Sequence, residues 1–198
     1  MERKRTSLKD IAKEANVSTS LVSFVLNNKD KEHRISPEMA EKIRQVAAKL
    51  NYVPNVAAKS LREGKSHTIG LIVSDISNPF FANLARFIER TAGKFKYAVH
   101  FANSDECAEQ TSMLAENMIN RGIDGLIIVP CDGSKQLLNN LLERKIPLVL
   151  LDRYIPDVDA TYVCLNNRKA GYDATRHLLE NGYRHIGIIN YKFDLKHT

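Results

Sequence analysis

The stretch that decides the fold runs from residue 6 to residue 34 and reads TSLKDIAKEANVSTSLVSFVLNNKDKEHR. Its first half repeats apolar residues at helical spacing, at Leu8, Ile11, Ala12 and Ala15. Asn16-Val17-Ser18 then predicts a tight corner, and Ser18 is a good N-cap for a second helix. That helix buries Leu21, Val22 and Val25. The pattern predicts a helix-turn-helix, a motif whose second helix can lie in the DNA major groove.

A third amphipathic helix is predicted to follow, capped at Ser36 with Pro37 at its first position. The charge of this part of the chain agrees with DNA binding. Residues 1–65 hold 14 Lys and Arg against 8 Asp and Glu, whereas residues 66–198 hold 15 against 15. The whole net charge of +6 therefore lies on the helical segment, as expected for phosphate binding. The alternative is a solvated surface with a chance excess of cations.

Composition narrows the class of protein. Hydrophobic residues make up 43% of the 198 residues, which indicates a folded chain rather than a disordered one. No apolar run approaches the roughly 20 residues of a membrane span, and the basic N-terminus lacks the apolar stretch of a secretory signal. The three cysteines, Cys107, Cys131 and Cys164, are far apart and are expected to be reduced. We expect a cytoplasmic protein.

From residue 66 the apolar period changes. Short apolar strands alternate with amphipathic helices, which predicts an α/β doubly wound parallel sheet covered on both faces. Strands are predicted over 69–73, 97–101, 125–129, 148–151, 162–165 and 186–189, with helices over 79–92, 106–120, 134–144 and 170–180.

Ligands of such sheets bind beyond the carboxyl ends of the strands. Here those ends carry polar and aromatic residues, over 74–81, 103–105, 130–133 and 152–154. They suit a small polar ligand such as a sugar. The alternative is that they are ordinary polar caps and turns.

Between the two regions, Asn55 can cap a two-turn helix over 56–62 that Gly64 ends. Such a short helix is marginal in water, so it is expected to order only against a partner. An ordinary linker is the alternative.

A series of short motifs occurs in order along the chain: Ser7-Leu-Lys-Asp-Ile-Ala, Ala15-Asn-Val-Ser, Val22-Ser-Phe-Val-Leu-Asn27, Leu50-Asn-Tyr-Val-Pro-Asn55, Ala57-Ala-Lys-Ser-Leu61, Thr68-Ile-Gly-Leu-Ile-Val73, Ser77-Asn-Pro-Phe-Phe81 and Gly122-Ile-Asp-Gly-Leu-Ile127. With these motifs the chain resembles the LacI/GalR family of bacterial transcription repressors. The resemblance runs from about residue 6 to the C-terminus. It implies a homodimer on a pseudo-palindromic double-stranded DNA operator, with hinge helices in the minor groove. It also implies a two-lobed core similar to periplasmic sugar-binding proteins.

The resemblance assigns DNA contacts residue by residue. Thr19, Ser20 and Leu21 occupy the recognition-helix positions that face base edges, and Ser23 and Asn27 fall on backbone or flanking contacts. The remaining expected DNA-binding positions are Ser7, Ser18, Asn55, Ala58, Lys59 and Leu61. Leu61 matches a hinge leucine that wedges between central base pairs and bends the duplex, and Ala58 and Lys59 match its minor-groove neighbours.

Two departures from the family pattern lie near the second helix. Phe24 stands where relatives often carry Arg or His, so a polar base contact is missing. The segment Asn28-Lys-Asp-Lys-Glu-His-Arg34 is longer than the usual connection to the third helix. Its basic side chains either touch phosphates or form a solvated loop, and we favour the loop.

Effector contacts carry over too. Phe80 and Phe81 match an aromatic wall, Asp152 and Arg153 match the loop after the fourth strand, and Asn166 stands where the family often has Asp. Asn78 completes the expected effector-binding set. The effector itself stays open.

Family members usually run well over 300 residues, so we expect a fragment or a truncated gene product whose second lobe is largely missing. The expected organisation is a DNA-binding headpiece over 1–53, a hinge and linker over 54–65, a first lobe over 66–165 and an incomplete second lobe over 166–198.

Enzymatic motifs do not occur: neither a His-Glu-x-x-His zinc motif nor a glycine-rich phosphate loop is present. We therefore expect no catalytic residues, no metal site, no cofactor and no membrane association. Three other readings stay open. They are a sugar-binding module without gene regulation, a truncated DNA-binding fragment without regulation, and an adaptor whose headpiece binds protein.

Overall fold

The computed structural model describes residues 6–54, 60 and 64–189, and the chain forms two compact units, Met1–Lys59 and Ser60–Thr198. The described part of the first unit is all-helical. Its helices are α1 (Leu8–Ala15), α2 (Thr19–Leu26) and α3 (Pro37–Lys49). Each begins after a serine in extended conformation whose hydroxyl accepts a hydrogen bond from the backbone N–H three residues later. The predicted helix-turn-helix and third helix are confirmed.

The corner between α1 and α2 depends on Asn16, which ends α1 in the left-handed region at φ 57°. Asparagine tolerates that region better than most residues. The turn is closed by a hydrogen bond from the Val17 N–H to the Ala12 carbonyl, at 2.9 Å. Small and β-branched side chains then fill the centre of the unit, namely Ile11, Ala12, Ala15, Val22, Val25, Ala40, Ile43 and Ala47.

The second unit alternates strands and helices. Their bounds are β1 (Thr68–Val73), α4 (Pro79–Lys94), β2 (Ala98–Asn103), α5 (Ala108–Asn120), β3 (Gly125–Ile128), α6 (Lys135–Glu143), β4 (Leu148–Leu151), β5 (Thr161–Val163) and α7 (Asn167–Glu180). Helix α5 starts two residues later than predicted, because Asp105 and Glu106 both adopt positive φ, at 51° and 56°. A right-handed helix cannot begin until the chain leaves that region.

The five strands form one parallel sheet in the order β2-β1-β3-β4-β5. Helix α4 covers one face, where Phe81 and Ala85 join Leu71, Val73 and Val129 in a buried cluster. Helices α5 and α6 cover the other face with the larger cluster, which includes Ile72, Met118, Leu126, Leu138 and Leu141. The doubly wound parallel sheet is therefore confirmed. The strand order reverses between β1 and β3, and this is the switch point at which such sheets open a crevice.

The predicted strand over 186–189 is wrong. These residues have no regular structure, and Ile188 and Ile189 are exposed. A strand is stabilised by hydrogen bonds to a neighbouring strand, and no described strand pairs with this segment. Helix α7 likewise has no buried residue, so within residues 64–189 no element covers its apolar side.

A carboxylate ties the start of the lobe to its sheet. Asp124, in the loop before β3, accepts hydrogen bonds from the Ser66 N–H at 2.7 Å, the Ser66 hydroxyl at 3.0 Å and the His67 N–H at 2.9 Å. Burial acts to raise the pKa of Asp124, but these bonds and one from Tyr97 outweigh it and lower the pKa below its ordinary value of 3.8. Asp124 therefore fixes the point at which the linker joins the lobe.

Replacing Asp124 by Asn is expected to destabilise the lobe at neutral pH by about 1–3 kcal/mol, because hydrogen bonds to a charged acceptor are lost. The pKa of Asp124 is lower in the folded chain than its ordinary value of 3.8. Its contribution to the free energy of unfolding is therefore fully present at pH values above 3.8 and is lost as the pH falls through the lower folded-state pKa. Urea denaturation at a series of pH values measures both effects. The exposed Asp159→Asn serves as control, and a difference from the parent chain that persists unchanged in strong acid would contradict the account.

Candidate nucleic-acid interface and effector-facing edge

The outward face of α2 is polar at its N-terminal end. Val22 and Val25 are fully buried against the other two helices, and this burial fixes the rotation of α2 about its axis. Thr19 and Ser20, in the first turn of α2, are both exposed. Hydroxyls can donate to or accept from base edges, so two of the three residues predicted to read bases, Thr19 and Ser20, are accessible to a duplex.

The other residues of α2 and its C-cap that were predicted to contact DNA are less exposed to solvent than Thr19 and Ser20. Leu21 is half-buried and packs against the headpiece core, so only part of its side chain faces solvent. Ser23 is half-buried, and its carbonyl accepts a hydrogen bond from the Asn27 side-chain amide at 2.7 Å. Asn27 is the C-cap residue of α2. Leu21, Ser23 and Asn27 therefore each have a structural role beside any contact with DNA.

Ser7 and Ser18 are the N-cap residues of α1 and α2. Ser7 forms a capping box with Asp10, whose carboxylate accepts from both the N–H and the hydroxyl of Ser7. The Ser18 hydroxyl accepts from the Leu21 N–H at 3.2 Å. Phosphate groups are favoured at helix N-termini, where free N–H groups and the helix dipole meet.

The connection between α2 and α3 is exposed over residues 31–34, which agrees both with a solvated loop and with phosphate contacts. It nevertheless has fixed contacts. Asp30 accepts a hydrogen bond from the Arg44 guanidinium of α3 at 3.1 Å. The rings of Phe24 and His33 stack with centroids 3.5 Å apart and planes 17° from parallel. Sequence reasoning missed this stack, because nine positions separate the two residues.

The hinge positions Asn55, Ala58, Lys59 and Leu61 lie outside the described residues. Gly64, which was predicted to end the hinge helix, has a left-handed φ of 66°. A left-handed glycine is a common end for a helix.

Several of the predicted effector residues follow the carboxyl ends of strands β1 and β4. Asn78 caps α4, and its side-chain oxygen accepts from the Phe80 N–H at 2.9 Å. Phe80 is 42% exposed, whereas Phe81 is 4% exposed and belongs to the core under α4. The two rings meet edge to face at 5.1 Å. Of the predicted aromatic wall, the structure therefore leaves Phe80 open and places Phe81 behind it as support.

Arg153 lies after β4 and is nearly buried. Its guanidinium forms a bidentate ion pair with Glu106, with N–O distances of 2.7 and 2.8 Å. The Arg153 Nε lies 3.8 Å from the Asp152 carboxylate and has no hydrogen-bond partner among the described residues. Glu106 was not predicted from the sequence, because it follows β2, which is not a neighbour of β4 in the sheet. The pair fixes the guanidinium plane at this edge.

Ser74 lies in the polar strand end over 74–81 that the sequence predicted to suit a ligand, but it was not among the named effector residues. It follows β1 directly and is 1% exposed, yet its hydroxyl has no hydrogen-bond partner within the described part of the chain. A buried hydroxyl without a partner costs free energy. Its place beside the switch point between β1 and β3 is where a polar ligand would satisfy it. The signal in the sequence was only a serine at a strand end.

Asn166 caps α7, and its side-chain oxygen accepts from the Lys169 N–H at 2.8 Å. It therefore has a capping role at the start of α7. Among the described residues no group of His, Cys, Asp or Glu could hold a metal ion. No helix in residues 6–54 or 64–189 is long and apolar enough to cross a membrane.

Comparisons with known proteins agree with this geometry. Residues 7–55 match the model of bacterial regulatory proteins of the lacI family. Residues 66–193 match the model of periplasmic binding proteins and the sugar binding domain of the LacI family. The chain belongs to the LacI family.

Curated relatives of this LacI-family chain are named as regulators. A ribose operon repressor of Halalkalibacterium halodurans is 37% identical over 188 residues, which cover 93% of this chain and 54% of that protein. A ribose operon repressor of Haemophilus influenzae is 34% identical, covering 92% of this chain and 54% of that protein. The chain thus spans about half the length of the curated relatives it matches. These names describe transcriptional regulators rather than enzymes.

Solved structures give the same fold. The lac repressor dimer bound to operator and the anti-inducer ONPF has a TM-score of 0.78 at 23% identity, covering 90% of this chain and 54% of that one. The CelR–cellobiose complex has a TM-score of 0.57 at 25% identity, covering 96% of this chain and 57% of that one.

In this LacI-family lobe, Glu106→Gln is expected to lower the free energy of unfolding by about 1–3 kcal/mol, because it leaves the nearly buried Arg153 charge without its carboxylate. The loss stays below that of a fully buried pair, since the Glu106 side chain is 38% exposed and water screens it. Hydrogen exchange of the sheet amides measures the change. The control is Asp157→Asn in the exposed Lys135–Asp157 pair. It is expected to change the free energy of unfolding by no more than about 0.5 kcal/mol. Equal effects of the two substitutions would contradict a structural role for the Arg153–Glu106 pair.

Proposed function

We propose that this chain is a sequence-specific DNA-binding repressor that reads an operator through α2. The observation that carries the proposal is the exposed, polar N-terminal end of α2, with Thr19 and Ser20 held outward by the burial of Val22 and Val25. The exclusive location of the net charge of +6 on residues 1–65 supports the same function, because cationic residues supply the salt-dependent part of DNA affinity. Acting on DNA, such a protein works in the cytoplasm of a bacterium.

A homodimer on a pseudo-palindromic operator follows from the proposal, because two copies of α2 then read two half-sites. On this chain, Phe87 of α4 and Phe101 of β2 are exposed at 65% and 38%. Helix α4 and β2 pack against each other. Exposed aromatic side chains on neighbouring elements support an interface between copies.

We also propose that the carboxyl edge of the sheet is one wall of an effector site for a hydroxylated small metabolite of the sugar type. Three features support this proposal: the paired guanidinium of Arg153, the Ser74 hydroxyl, which has no partner among the described residues, and the exposed ring of Phe80. A few polar groups beside an aromatic ring are typical of sugar sites.

The experiment is selection of preferred sequences from random duplex DNA by the full chain and by Thr19→Ala and Ser20→Ala. Because these hydroxyls face base edges, each substitution is expected to relax the preference at one position of the selected site, by roughly 1 kcal/mol. The exposed Thr161→Ala in the lobe is the matched control.

An unchanged selected sequence in both variants would contradict reading by α2. A chain without salt-dependent DNA binding would contradict the proposal as a whole. That result would favour the alternative of a sugar-binding module without gene regulation.

A further inference from the structure

The stacked pair of Phe24 and His33 extends the polar face of α2 by one side chain. Phe24 lies four residues after Ser20, so the two occupy the same face of the helix, one turn apart. The Phe24 ring is half-buried and His33 is exposed. With ring centroids 3.5 Å apart, the phenyl ring sits directly against one face of the imidazole. An apolar residue on the face proposed to read DNA is thus covered by a residue that can hydrogen-bond.

Backbone contacts hold the connection in the shape that produces this stack. The Lys29 N–H donates to the Phe24 carbonyl at 2.9 Å, the His33 N–H to the Lys29 carbonyl at 3.0 Å, and the Ile35 N–H to the Asp30 carbonyl at 2.9 Å. The ion pair of Asp30 with Arg44 anchors the turn to α3. His33 is therefore presented by a built turn rather than by a side chain free to swing.

The charges around His33 also favour a duplex. Asp30 is neutralised by Arg44, and Glu32 lies 4.0 Å from the Lys29 ammonium. Within the described residues, Lys31 and Arg34 have no carboxylate at ion-pair distance, so the turn retains two uncompensated cations beside His33. Such cations draw phosphates toward the turn.

We propose that His33 is a base-reading residue, which the longer connection supplies in place of a polar side chain at Phe24. Stacking fixes the plane of the imidazole, and a fixed ring makes a directional hydrogen bond that can discriminate between base edges. Phe24 acts as the platform and does not itself read the DNA. The inference rests on the proposed function, since it requires α2 to face the duplex.

The test is selection from random duplex DNA by the full chain, followed by affinity measurements over a range of salt concentrations. His33→Ala is expected to relax the preference at one base pair next to the position read by Ser20, by about two- to tenfold, the effect of one hydrogen bond. Its salt slope is expected to stay unchanged. Phe24→Leu keeps an apolar side chain but removes the ring, and it should relax the same base pair. The double variant should show no further loss.

Lys31→Ala is the matched control from the same turn. It is expected to weaken binding on all sequences and to lower the salt slope by about one, with the selected sequence unchanged. If His33→Ala behaves as Lys31→Ala does, His33 is a phosphate contact and the proposal is wrong. It is also wrong if His33→Ala leaves the selected sequence and the affinity unchanged. A parent chain that shows no DNA binding at all would instead contradict the proposed function.

Discussion

Burial of Val22 and Val25 is the constraint on which the DNA-reading surface depends. Helix α2 has only eight residues, too few to be stable alone in water, so its packing against α1 and α3 supplies its stability. The same packing fixes which face looks outward. Because both valines are fully buried, α2 cannot rotate about its axis, and Thr19 and Ser20 stay exposed to solvent. The left-handed Asn16 permits the tight corner that brings α1 and α2 together. Fold and proposed function therefore rest on the same side chains.

The lobe follows a different rule. Helices cover both faces of its sheet, so its central strands have nearly continuous apolar sequences, which is typical of a parallel sheet. The strand order then places the polar ends of β1 and β3 on either side of a switch point. The proposed effector wall lies at these ends, where the buried Ser74 hydroxyl has no partner in the described lobe and Arg153 is paired with Glu106. The sheet supplies rigidity and the loops supply the chemistry.

Periodicity and capping residues were enough to predict the three headpiece helices, the caps Ser18 and Ser36 and the alternating strands and helices of the sheet, because these patterns are visible over short stretches of sequence. The cap at Ser7 was not predicted. Contacts between distant residues could not be predicted. The Arg153–Glu106 pair depends on the path of the chain across the sheet, and the Phe24–His33 stack depends on the shape of one turn. The strand predicted over 186–189 failed for a related reason. Its apolar pattern is that of a strand, but a strand forms only beside a hydrogen-bonding neighbour.

The most direct test of the central claim is a residue-by-residue NMR titration of the full chain with a duplex that it selects. Reading by α2 predicts that the largest changes in amide chemical shift occur at Thr19 and Ser20 and extend to His33. Amides of the sheet, such as those of β3, should change little, because they lie in the lobe core. Largest changes within the lobe, with the amides of α2 unmoved at saturating DNA, would contradict the account.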